Sequence, residues 1–71
     1  MTVTQEELGH RIRDAREACR MTQDAAAKHI GVSRPTFVQI EAGKRSVSSL
    51  ELDRLAYLFG RDIREFVANQ F

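Results

Sequence analysis

Seventy-one residues make one small domain, near the lower limit for a self-sufficient core. One proline, four glycines and abundant Ala, Leu, Arg and Glu favour helices, and one cysteine excludes an internal disulfide and points to a reducing, cytoplasmic setting. The net charge is only +1, no apolar run approaches the roughly 20 residues that span a bilayer, and MTVTQEEL lacks the basic and apolar regions of a secretory leader.

In chain order, Thr4-Gln5-Glu6-Glu7 has the pattern of a capping box. In such a box hydroxyl and carboxylate satisfy each other's orphan backbone donors, so a first helix opens here. Leu8, Ile12, Ala15 and Cys19 follow at spacings of four, three and four, a single apolar stripe that packs the Cys19 thiol. Glu7 with Arg11, and Arg13 with Glu17, are spaced as surface ion pairs. Thr22 caps a second helix that runs to Ile30, where Gly31 supplies the left-handed residue. Ser33 caps a third; Pro35 fits in its first turn, where backbone donors have no partner, and Gly43 closes it. Ser48-Ser49-Leu50-Glu51 is a second box, opening a fourth helix with Leu52, Leu55, Ala56 and Phe59 inward and Gly60 at its end. Asp62-Ile63-Arg64-Glu65 is a third, starting a short fifth helix with Ile63, Phe66 and Val67 inward.

The predicted fold class is therefore all-α, a compact bundle of five helices, with residues 1–71 as a single domain and no strand, repeat or linker. The predicted core is Leu8, Ile12, Ala15, Ala26, Ala27, Ile30, Val32, Phe37, Ile40, Leu52, Leu55, Phe59 and Phe66.

The most informative stretch is residues 22–45, two short helices about a tight turn at Gly31-Val32-Ser33, with a helix-turn-helix core over 22–43. At about 3.6 residues per turn, Phe37 and Ile40 lie roughly 60° apart and define the buried side of the third helix. Arg34, Pro35, Val38, Gln39 and Ala42 then face outward over the helix 34–42. A merely solvated face would favour Glu and Lys; this mixture suits close fitting against a structured partner. Gln39 can pair two hydrogen bonds with adenine, Arg34 can fork onto guanine, and Val38 can meet a thymine methyl. Charge is distributed accordingly. Eight Lys and Arg face four Asp and Glu between Gly9 and Arg45, whereas both flanks are net acidic. These features point to a domain that reads the DNA major groove.

Other chemistry is poorly supported. His10, His29 and Cys19 have no metal-ligand spacing. Ala42-Gly43-Lys44-Arg45-Ser46 lacks the first glycine and the preceding strand of a phosphate loop, because Val38 stands where that glycine is needed. The carboxylates are scattered over solvated faces. Neither an enzyme nor a cofactor is expected.

From Gly9 to Phe66 the chain resembles the lambda-repressor-like, Cro-type or Xre family of helix-turn-helix domains. LGHRIRDARE, MTQ, AAKHIGVSR, IEAGKR and LDRLAYLFG carry the resemblance, above all Thr22-Gln23, Gly31-Val32-Ser33 and Glu41-x-Gly43-Lys44-Arg45 at this spacing. It implies a five-helix lambda-repressor-like bundle with Arg34, Pro35, Val38 and Gln39 as base readers. Thr22, Gln23 and Ser33 would hold DNA phosphate at helix N-termini, where backbone donors and the dipole favour an anion. Lys44 and Arg45 would touch the neighbouring phosphate backbone, and Arg16 and Glu41 would form an ion pair tying the first helix to the third. The chain departs from the family at Ala26, where leucine is usual, at Phe37, larger than the usual Ile or Val, and at Val47, which replaces a common proline. Pro35 cannot donate a hydrogen bond and is expected to meet thymine methyls or a sugar edge.

The function implied is a cytoplasmic, sequence-specific transcriptional regulator that binds double-stranded DNA, with repression the family's commonest mode. Its operator would be a palindrome with half-sites about one helical turn apart. One copy offers roughly 600–1,000 Å² to DNA, so a homodimer is expected, through the fourth and fifth helices and the tail, including Leu58, Val67 and Phe71. The alternatives are a protein-interaction module such as an antitoxin or adaptor, although Ala68 to Phe71 is too short for the extra segment with which an antitoxin usually holds its toxin, and the DNA-binding part of a longer ligand-sensing regulator.

Overall fold

In the computed structural model, which describes residues 3–67, five helices follow one another: α1 (Gln5–Ala18), α2 (Gln23–Ile30), α3 (Arg34–Glu41), α4 (Ser49–Phe59) and α5 (Arg64–Val67). Local chemistry sets nearly every boundary. Thr22, Ser33 and Ser48 sit in extended conformation as N-caps, each side-chain oxygen accepting from the backbone N–H three residues on. Only Ser48 and Glu51 complete a reciprocal box. At α1 the exchange runs one way: Thr4 accepts from Glu7 N–H at 3.1 Å, but the Glu7 carboxylate takes the Thr4 hydroxyl at 3.3 Å rather than the cap's N–H. Before α5, the Glu65 carboxylate does accept from Asp62 N–H at 3.1 Å, while Asp62 turns to Arg64.

Gly31, Gly43 and Gly60 end α2, α3 and α4 in the left-handed region, with the paired reverse hydrogen bonds that satisfy the last carbonyls. Helix α1 ends in the same geometry without a glycine. Arg20 takes φ +55°, its N–H donating to Glu17 and that of Met21 to Arg16.

Twelve apolar residues form one core: Ile12, Ala15, Ala26, Ala27, Ile30, Phe37, Ile40, Leu52, Leu55, Ala56, Phe59 and Phe66. Leu8 and Val32, expected inside, are half-buried and pack on its edge, because they lie at the first turn of α1 and in the turn after α2. Cys19 is exposed: α1 stops at Ala18, and Cys19, as its C-cap, sets its Sγ 3.7 Å from the carbonyl of Phe59 instead of joining the stripe. Val67 is 43% exposed rather than inward, since one turn of helix can bury only the side that carries Phe66. Phe37 and Ala26 are both fully buried on the closely packed α2–α3 pair, where α2 buries two alanines ahead of Ile30 and so leaves volume for a large side chain on α3.

Helix α1 crosses the end of α3 closely. A Cβ on Gly9 would lie 2.6 Å from the carbonyl oxygens of Ile40 and Glu41, so no larger residue fits without moving α3. Arg11 extends Nη1 to the carbonyl of Phe66, 3.2 Å away, and ties α1 to α5.

Candidate nucleic-acid interface

Helix α3 is held by its inner side and open on its outer one. Phe37, Ile40 and Glu41 are buried; Arg34, Pro35, Val38, Gln39 and Ala42 are exposed, with Val38 at 37%. The outward set expected from the helical period is thus brought onto one surface. The Arg34 guanidinium and the Gln39 amide have no side-chain partner among the described residues, so both are available to a ligand.

The N-terminus of α2 opens beside that surface. A shallow cleft lined by Arg16, Thr22, Gln23, Asp24 and Arg34 joins expected phosphate holders to an expected base reader. Thr22 keeps its hydroxyl oxygen on the Ala25 N–H, 3.1 Å away. Asp24 faces Lys28 at 3.4 Å, an exposed pair one turn apart that contributes little. Ser33 is more committed than expected: its oxygen accepts from Thr36 N–H and its hydroxyl donates to Thr36 Oγ1 at 2.9 Å.

Behind the cleft lies a connected polar network. Arg16 Nε donates to Glu41 Oε2 at 2.7 Å and Arg16 Nη2 to Glu41 Oε1 at 3.2 Å, a bidentate pair between α1 and the last residue of α3. Glu41 is only 7% exposed, and its hydrogen bond pushes Arg16 above the ordinary arginine value against the opposing cost of burial. Arg16 Nη1 also donates to the Met21 carbonyl at 2.8 Å, and Gln23 Nε2 to Glu41 Oε1 at 3.0 Å. One carboxylate therefore fixes α1, the entry to α2 and the end of α3 together. The Gln23 amide, expected on phosphate alone, already gives one donor to this network.

At the other end of α3 the loop 42–48 is pinned from three directions. A Cβ on Gly43, at φ +74°, would lie 2.7 Å from Glu6 Cα, and the Gly43 carbonyl accepts from Gln5 Nε2 at 3.0 Å. Lys44 N–H closes α3 on the Gln39 carbonyl at 2.9 Å. Arg45 folds back onto α4, with Nη1 and Nη2 on the two oxygens of Glu51 at 3.0 and 3.1 Å, and Nη1 also on the Ser46 carbonyl. The Arg45 guanidinium holds the Glu51 carboxyl below the ordinary glutamate range. Lys44 is exposed, and its ammonium has no partner among the described residues.

A second exposed surface lies on α4, where a dimer contact through Leu58 is expected, but its most exposed large side chains are Tyr57 and Leu50, which the pattern reading does not single out. Tyr57 is 90% and Leu50 59% exposed, seven residues apart on the side of α4 that faces away from the core. Tyr57 borders an open cleft of about 640 Å³ whose lining includes His29, Ala56, Leu58 and Ile63. The signal was present, since position 57 falls outside the stripe of Leu52, Leu55, Ala56 and Phe59.

Comparison with known proteins agrees with this geometry. The model of the helix-turn-helix domain family matches residues 7–67. An uncharacterized HTH-type transcriptional regulator of Methanothermobacter thermautotrophicus (strain Delta H) is 35% identical over 51 residues, 72% of this chain and 74% of that one. The crystal structure of the restriction-modification controller protein C.AhdI from Aeromonas hydrophila superposes with a TM-score of 0.80 at 29% identity, covering 87% of this chain and 94% of that one. The clp gene regulator ClgR from C. glutamicum gives a TM-score of 0.82 at 25% identity over 90% of this chain and 83% of its own.

Proposed function

Because the chain belongs to the helix-turn-helix domain family, we propose that it is a transcriptional regulator that binds double-stranded DNA and reads the major groove with α3. The observation that carries this reading is the outer side of α3: small, unpartnered and held rigidly from behind by Phe37, Ile40 and the Arg16–Glu41 pair. Arg34, Pro35, Val38 and Gln39 meet base edges, by forked hydrogen bonds from Arg34 and Gln39 and apolar contact from the other two. Thr22 and Gln23 take a phosphate through the free N–H groups that open α2. Lys44 takes another across the groove. These phosphate contacts fix register, and the base contacts choose sequence.

Repression follows most directly, since a domain that covers DNA blocks access to it. The setting is cytoplasmic; among the described residues no helix is long and apolar enough to cross a membrane. The regulator acts as a homodimer on a palindromic operator. Leu50, Leu58, Tyr57 and the neighbouring cleft form the self-complementary surface, with a projecting aromatic beside a hollow. Asp53 and Arg54, which have no ion-pair partner among the described residues, supply both signs of charge there. Exposed Val67 extends the surface onto α5; Phe71, also expected there, lies outside the described residues.

Selection of bound fragments from random duplex DNA tests the proposal. The expected product is an enriched sequence with two-fold symmetry and half-sites roughly one helical turn apart. Recovery of unenriched sequence would reduce the protein to a non-specific binder, and recovery of none would end the reading.

A further inference from the structure

Resting on the DNA-reading assignment above, we infer that Arg45 is a positioning residue rather than a phosphate ligand: it clasps Glu51 to hold the loop 42–48 in the shape that presents Lys44 to the DNA backbone. Basic side chains that follow one another in a loop beside a recognition helix invite a common assignment, but here the two cations differ in kind. The Arg45 fork spans both oxygens of Glu51 and adds the Ser46 carbonyl, which uses the flat, two-pronged face of the guanidinium that would otherwise grip a phosphate. Glu51 is in turn fixed by the Ser48 N–H at 3.0 Å, so the clasp ends on the capped first turn of α4.

The consequence for charge is direct. Arg45 and Glu51 together carry no net charge toward DNA, and Lys44 is the loop's available cation. The N–H groups of Arg45 and Ser46 have no acceptor among the described residues, so a loop held in this shape also offers main-chain donors beside the Lys44 ammonium. Opening the clasp frees a positive charge but loosens the loop. The two effects have opposite signs on binding, which makes the inference testable.

The test is fluorescence anisotropy on the selected duplex over a salt series, with circular dichroism to follow helix content. Glu51→Gln keeps a side chain able to cap α4, and Arg45→Lys keeps the charge while removing the fork. Both variants are expected to bind about 3–10-fold more weakly with unchanged salt slope and unchanged helix content, whereas Lys44→Gln flattens the slope by about one counterion. A lysine serves well as a point charge on phosphate, so wild-type affinity for Arg45→Lys would overturn the inference. Tighter binding with a steeper slope for Glu51→Gln would overturn it equally, by showing Arg45 to be a withheld phosphate ligand. In either case the DNA reading survives. A wild-type protein that binds no duplex at low salt overturns both.

Discussion

Helices α3 and α4 each turn one side to the same core and the other to solvent, yet their outer sides differ in kind. On α3 the exposed apolar residue is small, Val38 at 37%, set among an amide, a guanidinium and a proline. On α4 it is large: Tyr57 at 90% and Leu50 at 59%, beside a hollow. A helix that fills a groove little wider than itself gains from modest side chains with directional hydrogen bonds, which let its backbone come close to the base edges. A surface that meets another protein gains from a protruding aromatic, whose large area is hidden at small entropic cost. The supports differ as well. Beneath α3 lies the Arg16–Glu41–Gln23 network, which fixes direction; beneath α4 there are mostly apolar side chains, which fix position but do not aim it.

The largest expected effect comes from removing the support under α3. Glu41→Ala takes the bidentate partner from a half-buried Arg16 and leaves Gln23 without its acceptor; because Arg16 also lines an open cleft, the loss falls below that of a fully enclosed pair, at roughly 2–4 kcal/mol, still a large part of what a domain of this size has. Urea unfolding should show it, whereas Tyr57→Ala should leave the monomer's unfolding midpoint almost where it was. Nearly equal midpoints for Glu41→Ala and the parent would mean that packing alone aims α3.

Next in size is the outer side of α4. Tyr57→Ala should weaken self-association by about 2 kcal/mol or more, roughly 30-fold, if Tyr57 is an interface anchor. Sedimentation equilibrium reads this directly, and affinity for an isolated half-site should not change. A dimer that persists unaltered would move the interface off Tyr57. On α3, Gln39→Ala should relax base preference at one operator position by about 1–3 kcal/mol and leave the fold intact. Equal losses on every sequence would remove Gln39 from the readers.

The sequence made one of these two sides far more legible than the other. Outward residues of α3 follow from periodicity once Phe37 and Ile40 set its buried direction, and its ends are written in Ser33, Pro35 and Gly43. The face of α4 could be read in the same way, but an exposed Tyr57 acquires meaning only beside a hollow, and that hollow is built by His29 on α2, residues of α4 and Ile63 ahead of α5. Long side chains were the least legible. Arg45 and Lys44 look alike in the sequence, and only the tertiary placement of Glu51 separates them. The family resemblance implies Ser33 and Gln23 as phosphate holders, but Thr36 and Glu41, which sequence spacing does not connect to that role, already claim part of their hydrogen bonding. Cys19 and Val67 fell at helix ends, where a period established over full turns no longer dictates which way a side chain points.

The smallest effect concerns the end of α1, which no glycine announces. Arg20 holds φ +55° so that α1 can close on Glu17 and Arg16, a conformation that costs an L-residue about 1–2 kcal/mol. Glycine removes that strain but adds freedom to the unfolded chain, so Arg20→Gly should stabilise the domain by roughly 0.5–1 kcal/mol net. Arg20→Val should instead destabilise it, because a β-branched side chain tolerates this region least. Thermal melts of both variants give the sign. The result also bears on the comparison of the two helices, because this turn delivers Met21, whose carbonyl receives Arg16, and Thr22, which starts α2. If the turn matters only as geometry, Arg20→Gly will bind DNA with the parent's salt slope. A slope lower by about one counterion would place the Arg20 charge on a phosphate, and α1 would join α2 and α3 in the interface.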